Sequence, residues 1–231
     1  MTSYEIPFKF KTRLNKSDSE DYQNIPPTEI QEAINKALLE ITRKTLHGAN
    51  LFQEGREDSK TRISDFQTLI RTKKISGINK DVYFQSTKIP DDFFEHLEVT
   101  GIVDKGTCIS VRIPSSLIEV ANVNVYLADG DKQPSFDFEQ SFHILQENKI
   151  KLYHNNDFEV KEIELNYYKS PQYIQIPGAF LVGGGIGKDM KCELKDDLME
   201  IVIDEAVRIK AADIESLNRM TTAEKSVDKN I

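Results

Sequence analysis

The sequence predicts an α+β protein in which N- and C-terminal helices form a helical bundle that carries an inserted antiparallel β-sandwich or β-barrel domain. Three observations lead to this fold class. Apolar residues recur at helical spacing near both ends of the chain, and short β-like segments separated by turn residues fill the middle. The length of 231 residues fits one large domain or two small ones.

The most strongly patterned stretch runs from residue 194 to residue 219. Acidic residues crowd its start and basic residues lie towards its end, an order that suits the helix dipole. A first apolar set falls three or four positions apart, as on one buried helix face: Leu194, Leu198, Val202, Ala206 and Ile209. A second apolar set widens the apolar surface of the helix, so we expect it to pack against several neighbours, in this chain or in another copy of it.

Residues 1–25 are predicted to form an N-terminal arm. Ile6, Phe8 and Phe10 alternate with Lys9 and Lys11, which is a short strand-like pattern. The arm is therefore either a strand that adds to the sheet edge of another subunit or a flexible tail, and the sequence leaves both readings open.

Two helices are predicted to follow, so that residues 26–74 and 190–219 together make the bundle. The first runs from Thr28 to about Thr45, and Thr28 with Gln31 matches a capping box. His47 and the glycine after it supply a stop. The second and shorter helix is predicted around residues 61–71.

Residues 75–176 are predicted to form the inserted β domain. Residues 82–84 followed by residues 89–94 look like a strand leading into one helical turn, and residues 147–148 look like a tight hairpin. A glycine-rich connector loop (177–189) and a flexible C-terminal tail (220–231) complete the prediction. The strand candidates are Leu97–Val103, Thr107–Ile113, Val120–Leu127, Phe142–Gln146, Lys149–Tyr153 and a strand through Ile163, Leu165 and Tyr167.

Charge and composition exclude several classes of protein. The formal net charge of −8 gives no support for tight binding to a phosphate backbone. The acidic residues concentrate in the middle of the chain, where they either line a passage through which DNA moves without sticking or form an ordinary solvated surface. Cys108 and Cys192 are isolated thiols, which favours a reducing compartment. No run of apolar residues approaches the length of a membrane span.

The run Gly183–Gly187 followed by Lys188 invites comparison with a phosphate-binding loop. That motif would need glycine in place of Val182 and serine or threonine in place of Asp189. The predicted helix also starts several residues too late to point its N-terminus at a phosphate. A hinge or mobile loop is the better interpretation.

Candidate chemistry is sparse, and the sequence predicts no enzyme and no catalytic residue, cofactor or metal ion. One local cluster combines acids with a histidine, and capping of a short helical turn explains it more simply than a metal or acid–base site: Asp91, Asp92, Glu95 and His96. His143 and His154 lie on neighbouring hairpin strands and are expected to come close, but two histidines alone make a poor site.

The order of segments from residue 26 to residue 217 resembles the head–tail connector (adaptor, or ring) proteins of tailed bacteriophages, particularly those of crAss-like phages. The resemblance rests on the order of these segments: the amphipathic N-terminal helix, ISDFQTL at 63–69, KIPDDFFEHL at 88–97, NKIKLY at 148–153, IELNYYKSP at 163–171, and CEL at 192–194 before EIVIDEAV at 200–207.

The resemblance implies a structural virion protein at the head–tail interface, made in the host cytoplasm and involved in genome ejection. Such proteins assemble as homo-oligomeric rings, commonly of twelve copies, that dock to the portal and contact other tail or ring proteins. Double-stranded DNA passes through their lumen without sequence-specific binding, and no membrane is involved. In a ring we expect charge at Val202 or Ala206 to unfold the subunit, and charge at Ile203 or Val207 to impair assembly.

Two alternatives come from other classes. A soluble ligand- or carbohydrate-binding β-sandwich module would need a concave aromatic face, and the absence of tryptophan weighs against sugar stacking. A metal hydrolase would need a site built on His96 or on the pair His143 and His154. The aromatic face of the binding module would use Tyr126, Tyr153, Tyr167 and Tyr173.

Overall fold

A computed structural model describes residues 1–17, 25–46, 66–181 and 184–228. The chain divides into two compact units, here called the terminal unit (residues 1–68 and 171–231) and the sheet unit (residues 69–170). In the described ranges the helices are α1 (Glu5–Ser17), α2 (Pro27–Leu46), α3 (Val123–Ala128) and α4 (Asp196–Asp228). The strands are β1 (Ile70–Ile75), β2 (Gly77–Asn79), β3 (Tyr83–Ser86), β4 (Phe93–Lys105), β5 (Cys108–Leu117), β6 (Ser141–Gln146), β7 (Lys149–Tyr153) and β8 (Glu159–Lys169).

The sheet unit is built on one mixed sheet in the order β1-β8-β4-β5-β6-β7-β3-β2. Every neighbouring pair is antiparallel except β5 and β6, which run parallel. A parallel pair needs a crossover of a dozen or more residues, and the segment from residue 118 to residue 140, which contains α3, supplies it.

The sheet curls into a half-barrel, and Asn79 links β2 at one end of the strand order to β8, the second strand from the other end. Asn79 lies on β2, the last strand in the order. Its side-chain amide donates to the carbonyl oxygen of Val160 on β8 at 2.7 Å and accepts from the Val160 N–H at 3.3 Å. One side chain thus supplies both bonds of a strand ladder where the backbones themselves do not pair.

The two faces of the sheet bury different sets of residues. The main core lies on one face and is formed by β-branched, leucine and aromatic side chains from six of the strands, with Ile89 and Phe158 beside them. On the opposite face Phe142, Ile144 and Tyr153 are covered by α3, chiefly through Val123 and Tyr126. The strands β6 and β7 are therefore buried on both sides.

The terminal unit contains α1, α2 and α4, and α4 contacts both of the others. Ion pairs add to these contacts: Lys9 and Arg13 on α1 pair with Glu200, and Lys44 on α2 pairs with Glu205 at 3.1 Å. The first residues of the chain pair with residues 190–192, since the Ser3 N–H donates to the carbonyl oxygen of residue 190 at 2.8 Å.

The predicted fold class is wrong. The described chain is dominated by a single curled mixed sheet rather than by a bundle of N- and C-terminal helices around an antiparallel sandwich or barrel. One physical reason lies in residues 61–71. Their apolar residues are spaced as in a helix, but pairing of residues 70–75 with β8 overrides that local pattern, so that Ile70 opens β1 after a single 3-10 turn. Residues 61–65 lie outside the described residues.

The N-terminal arm contains a helix instead of a strand or a flexible tail. Ile6 and Phe10 are fully buried and Leu14 is nearly so, whereas Phe8 is 75% exposed. Spacing of four residues puts the three buried side chains on one helix face. The alternation of Ile6, Phe8 and Phe10 therefore gave the wrong element, because the side chains that are buried, Ile6, Phe10 and Leu14, lie four positions apart and Phe8 between them is exposed.

Three further local predictions are also wrong. Residues 120–127 form a 3-10 turn and α3 rather than a strand, because Val123 and Tyr126 lie three positions apart and pack on the sheet together. Phe93 and Phe94 begin strand β4 rather than a helical turn. The helix α4 continues to Asp228, through most of the predicted C-terminal tail.

The helix predicted over 28–45 is present as α2, but the capping box at its start is not formed. The Thr28 hydroxyl accepts a hydrogen bond from the N–H of Phe180 instead, and the Gln31 side chain accepts one from Ile176. The predicted division of α4 also changes, because Ile203 is as fully buried as Val202 and Ala206, while Ile201 is 54% exposed.

Candidate functional site

The most unusual polar arrangement in the sheet unit is a chain of three side chains on three adjacent strands. The hydroxyl of Ser115 on β5 lies 2.9 Å from Nδ1 of His143 on β6. The other ring nitrogen of His143, Nε2, lies 3.2 Å from Nε2 of His96 on β4. Ser115 and His143 are buried, and His96 is half-buried.

Strand register brings Ser115 and His143 together. In the parallel β5–β6 pair Ser115 lies opposite Ser141, and His143 follows two residues later on the same face of β6. His143 lies opposite Leu152 of the main core, so its ring points towards that core. The sequence alone did not indicate Ser115, because the partner strand is fixed by a nonlocal parallel register.

His96 joins this group through a β-bulge. In a regular strand residues 99, 97 and 95 share one face, which would send His96 to the face opposite Val99. The register of β4 against β8 shifts between His96 and Glu98, and one extra residue reverses the alternation. The bulge therefore directs the His96 ring to the side of the sheet on which His143 lies.

Burial keeps both imidazoles neutral at neutral pH. Desolvation, with a smaller contribution from a charge on His96, lowers the pKa of His143 from 6.5 to about 3. Burial also lowers the pKa of His96, although the carboxylates of Glu95 and Glu98 oppose that shift. Two tautomeric arrangements satisfy the chain, one in which His143 Nδ1–H donates to Ser115 and one in which the Ser115 hydroxyl donates to His143.

Ser115, His143 and His96 are connected in the way that a nucleophilic serine, its general base and an orienting residue are connected in an enzyme. The basicity of His143 and the burial of Ser115, however, do not suit that role. A general base must be able to take the serine proton near the working pH, and a pKa of about 3 makes His143 far too weak a base. Ser115 is also only 9% exposed, which closes it to an ordinary substrate. The chain is better suited to holding two imidazoles in a fixed orientation.

The acidic residues near His96 in sequence do not form a site with it. Asp91 pairs with Lys88, which lowers the pKa of Asp91. Asp92 accepts a hydrogen bond from the Tyr167 hydroxyl at 3.0 Å. Burial and this bond raise the pKa of Tyr167 to about 12. The expectation that Asp91 or Asp92 caps a helical turn is wrong as well, since residues 93–96 belong to β4.

His143 lies on β6 and His154 directly follows the neighbouring strand β7, but the ring contact of His143 is with His96. The ring of His154 lies beside Phe158, and its Nδ1 accepts from the Asn156 N–H at 3.1 Å. Its buried Nε2 has no hydrogen-bond partner among the described residues. His47 falls outside the described part of the chain.

The aromatic face required by a carbohydrate-binding module is not assembled. Tyr153 and Tyr167 are buried, at 7% and 3% exposure, and Tyr126 packs edge-on against Phe142. Tyr173 belongs to the terminal unit, where its hydroxyl lies 3.5 Å from the Gln31 amide nitrogen.

The glycine-rich segment forms a small hairpin in the terminal unit. Phe180 bridges Ile186, and the N–H of Gly187 donates to the carbonyl oxygen of Ala179 at 2.8 Å. Gly184 and Gly185 have φ values of +88° and +101°, which favour glycine. Because α4 begins only at Asp196, the hairpin does not lead directly into a helix N-terminus, as a phosphate-binding loop would. Val182 and Gly183 lie outside the described residues.

A second candidate feature is an apolar groove in the terminal unit. Its volume is about 560 Å³, and most of its lining comes from α1, with Pro27 and Pro177 alongside. Tyr4 and Phe8 contribute large rings to it and are 73% and 75% exposed. Exposed aromatic side chains beside a groove are typical of a surface that binds another protein.

Comparison with known proteins adds no family to these observations. The sequence matches no model of a known protein family and is similar to no curated protein. Among the described residues, no three or more His, Cys, Asp or Glu side chains gather closely enough to hold a metal ion. No helix in the described ranges combines the length and the apolar character needed to cross a membrane.

Proposed function

We propose that this chain is a structural protein of a tailed-phage virion, a head–tail connector that forms a ring, docks to the portal and extends the DNA channel into the tail. The order of sequence segments from residue 26 to residue 217 supports this class of protein. The acidic excess of the chain suits a lumen through which DNA slides without being bound.

The observation that carries the assembly part of the proposal is the groove beside α1. An α1 that served only its own fold would bury the face formed by Ile6, Phe10 and Leu14 and expose polar residues elsewhere. Instead the side chains of Tyr4, directly before α1, and Phe8, on α1, are exposed to solvent. Covering two such rings in a subunit interface removes apolar surface from water, which is the main favourable contribution to association.

Native mass spectrometry and cryo-electron microscopy of the full chain, alone and with the portal protein, test this proposal. We expect a closed ring of identical copies and a complex with the portal. The double variant Tyr4→Ser/Phe8→Ser is expected to lower ring formation at least tenfold while the free energy of unfolding of the subunit stays unchanged. Phe138→Ser is the matched control, since Phe138 is 78% exposed and lies in the sheet unit.

Two outcomes would contradict the proposal. One is a chain that stays monomeric at all concentrations with the portal present and that is missing from purified virions. The other is an equal loss of assembly in the Phe138→Ser control. That result would show that assembly does not depend specifically on the α1 groove. The binding-module alternative has no specific structural observation in its favour.

A further inference from the structure

The ring nitrogens Nε2 of His96 and His143 face each other within hydrogen-bond distance. Their Nε2 atoms are 3.2 Å apart and their ring centroids 5.0 Å apart, with the ring planes tilted by 40°. Two arrangements bring imidazole Nε2 atoms to this distance. One is an N–H···N hydrogen bond, and the other is convergence of both lone pairs on a shared metal ion.

The centroid distance distinguishes the two arrangements. A straight hydrogen bond at this nitrogen distance aligns the rings head-on and places their centroids about 5.5 Å apart. Two imidazoles bound to one tetrahedral ion at about 2.0–2.1 Å have nitrogens about 3.3 Å apart and centroids about 5.1–5.2 Å apart. The observed 3.2 Å and 5.0 Å are nearer to the second arrangement, in which the lone pairs meet at an angle.

The surroundings of His143 match those of a metal ligand. A metal-bound histidine almost always donates its other ring N–H to an oxygen, which fixes its tautomer and orientation. Ser115 Oγ stands at that position, 2.9 Å from Nδ1.

We infer that His96 and His143 are the two protein ligands of a binding site for a divalent transition-metal ion of the Zn²⁺ type. Imidazole nitrogen is a preferred ligand of such ions. The half-buried His96 leaves a path to solvent, so water completes the coordination and the ion exchanges readily. On binding, the ring proton that lies between the two Nε2 atoms moves to the Nδ1 atom of the imidazole that carries it.

Isothermal titration of chelator-stripped full-length protein with Zn²⁺ at pH 7.5 tests this site. All proteins carry His47→Gln, which removes a histidine that lies outside the described residues. We expect one ion per chain and at least tenfold weaker binding in His96→Gln and in His143→Gln. His154→Gln is the matched control and is expected to bind like the parent. Since His96 is half-exposed, His96→Gln decides the test if His143→Gln fails to fold.

Thermal unfolding gives a second readout. Zn²⁺ is expected to raise the Tm of the parent and of His154→Gln, but not of His96→Gln, because an ion that binds only the folded state stabilises it. The inference is overturned if the parent binds no ion in a one-to-one complex, or if His96→Gln retains the parent's affinity within twofold. Either result would mean that the histidine pair is only a hydrogen bond. Neither result bears on ring assembly, which involves α1.

Discussion

Asn35 holds the backbone of Ile174 through both ends of its side-chain amide. The Nδ2 atom of Asn35 donates to the Ile174 carbonyl oxygen at 2.9 Å, and its Oδ1 accepts from the Ile174 N–H at 2.8 Å. One turn earlier on α2, Gln31 accepts from the Ile176 N–H at 2.8 Å. Helix α2 thereby satisfies backbone groups of residues 174 and 176, which pair with no strand in the described part of the chain, within a buried setting where unpaired amides are costly.

The first prediction concerns this bond pair. We expect Asn35→Ala to lower the free energy of unfolding by about 2–4 kcal/mol, because it leaves the buried N–H and carbonyl oxygen of Ile174 without partners. Lys36→Ala, on the exposed side of the same helix, is expected to change it by less than about 0.5 kcal/mol. Urea unfolding measures both. Similar values for the two variants would mean that water replaces the Asn35 side chain at little cost.

The second prediction separates the apolar residues of α4. Ile203 has no exposed surface, so Ile203→Ala is expected to cost about 2–5 kcal/mol through lost burial and a cavity. Ile201→Ala removes the same atoms from a side chain that is 54% exposed and is expected to cost less than about 1 kcal/mol. Chemical unfolding of the two variants decides the point, and a larger loss at Ile201 would show that the assignment of buried and exposed positions on α4 is reversed.

The third prediction is a dependence of stability on pH. The folded-state pKa of His143 is about 3, below its ordinary value of 6.5. Between these values the unfolded chain binds a proton at this site and the folded chain does not, so stability falls as the pH falls from about 6.5 towards 3. The slope for one such group approaches about 1.4 kcal/mol per pH unit.

A comparison of the parent with His143→Gln measures this contribution. The free energy of unfolding of the parent should drop more steeply between pH 6.5 and pH 4 than that of the variant, so that the gap between them narrows as the pH falls. Parallel curves would show that the buried imidazole takes up a proton as easily in the folded protein as in the unfolded chain.

The fourth prediction concerns the glycine-rich hairpin. A Cβ atom at Gly187 would lie 2.2 Å from the carbonyl oxygen of Ile176. This is a steric clash that only a shift of the backbone can relieve. We expect Gly187→Ala to cost about 1–3 kcal/mol. Gly130→Ala is the control, because that position has open space around it and a negative φ. A Tm of Gly187→Ala equal to that of the control would rule out this close approach.

The fifth prediction is stabilising. The two turn residues of the β6–β7 hairpin, Glu147 and Asn148, both have positive φ, at +54° and +59°. This turn type favours Asn-Gly, and a glutamate held there is strained by about 1 kcal/mol. Glu147→Asn combined with Asn148→Gly should therefore raise the free energy of unfolding by about 1 kcal/mol. Differential scanning calorimetry measures the gain, and a lower Tm would contradict it.

The local pattern of the sequence predicts some elements well. The helix α2 and the first part of α4 show unbroken helical spacing, and the β6–β7 hairpin has alternating strands on both sides of a two-residue turn. These elements depend on contacts between residues close in sequence, which a periodic pattern records. The buried side chain of Asn35 has no signal in the sequence, and Gln31 is assigned to a capping box that does not form, because helical periodicity identifies apolar residues only.

The candidate site was only partly visible in the sequence. The sequence identifies both His96 and His143 as candidates. It predicts, however, that His143 lies close to His154 and that His96 forms a cluster with the acidic residues next to it. Two nonlocal features produce the actual pairing: the bulge in β4 and the parallel register of β5 and β6. Neither leaves a short-range signature, since each is defined by a partner strand far away in the sequence.

By itself the sequence determined where several helical and alternating segments lie and that the chain carries an acidic excess. Only the tertiary structure decided that residues 70–75 pair with β8 as a strand, that Ile203 is buried while Phe8 is exposed, and that the rings of His96 and His143 converge. The physical reason is that local propensities differ by less than the free energy of burial and strand pairing, which depend on neighbours distant along the chain.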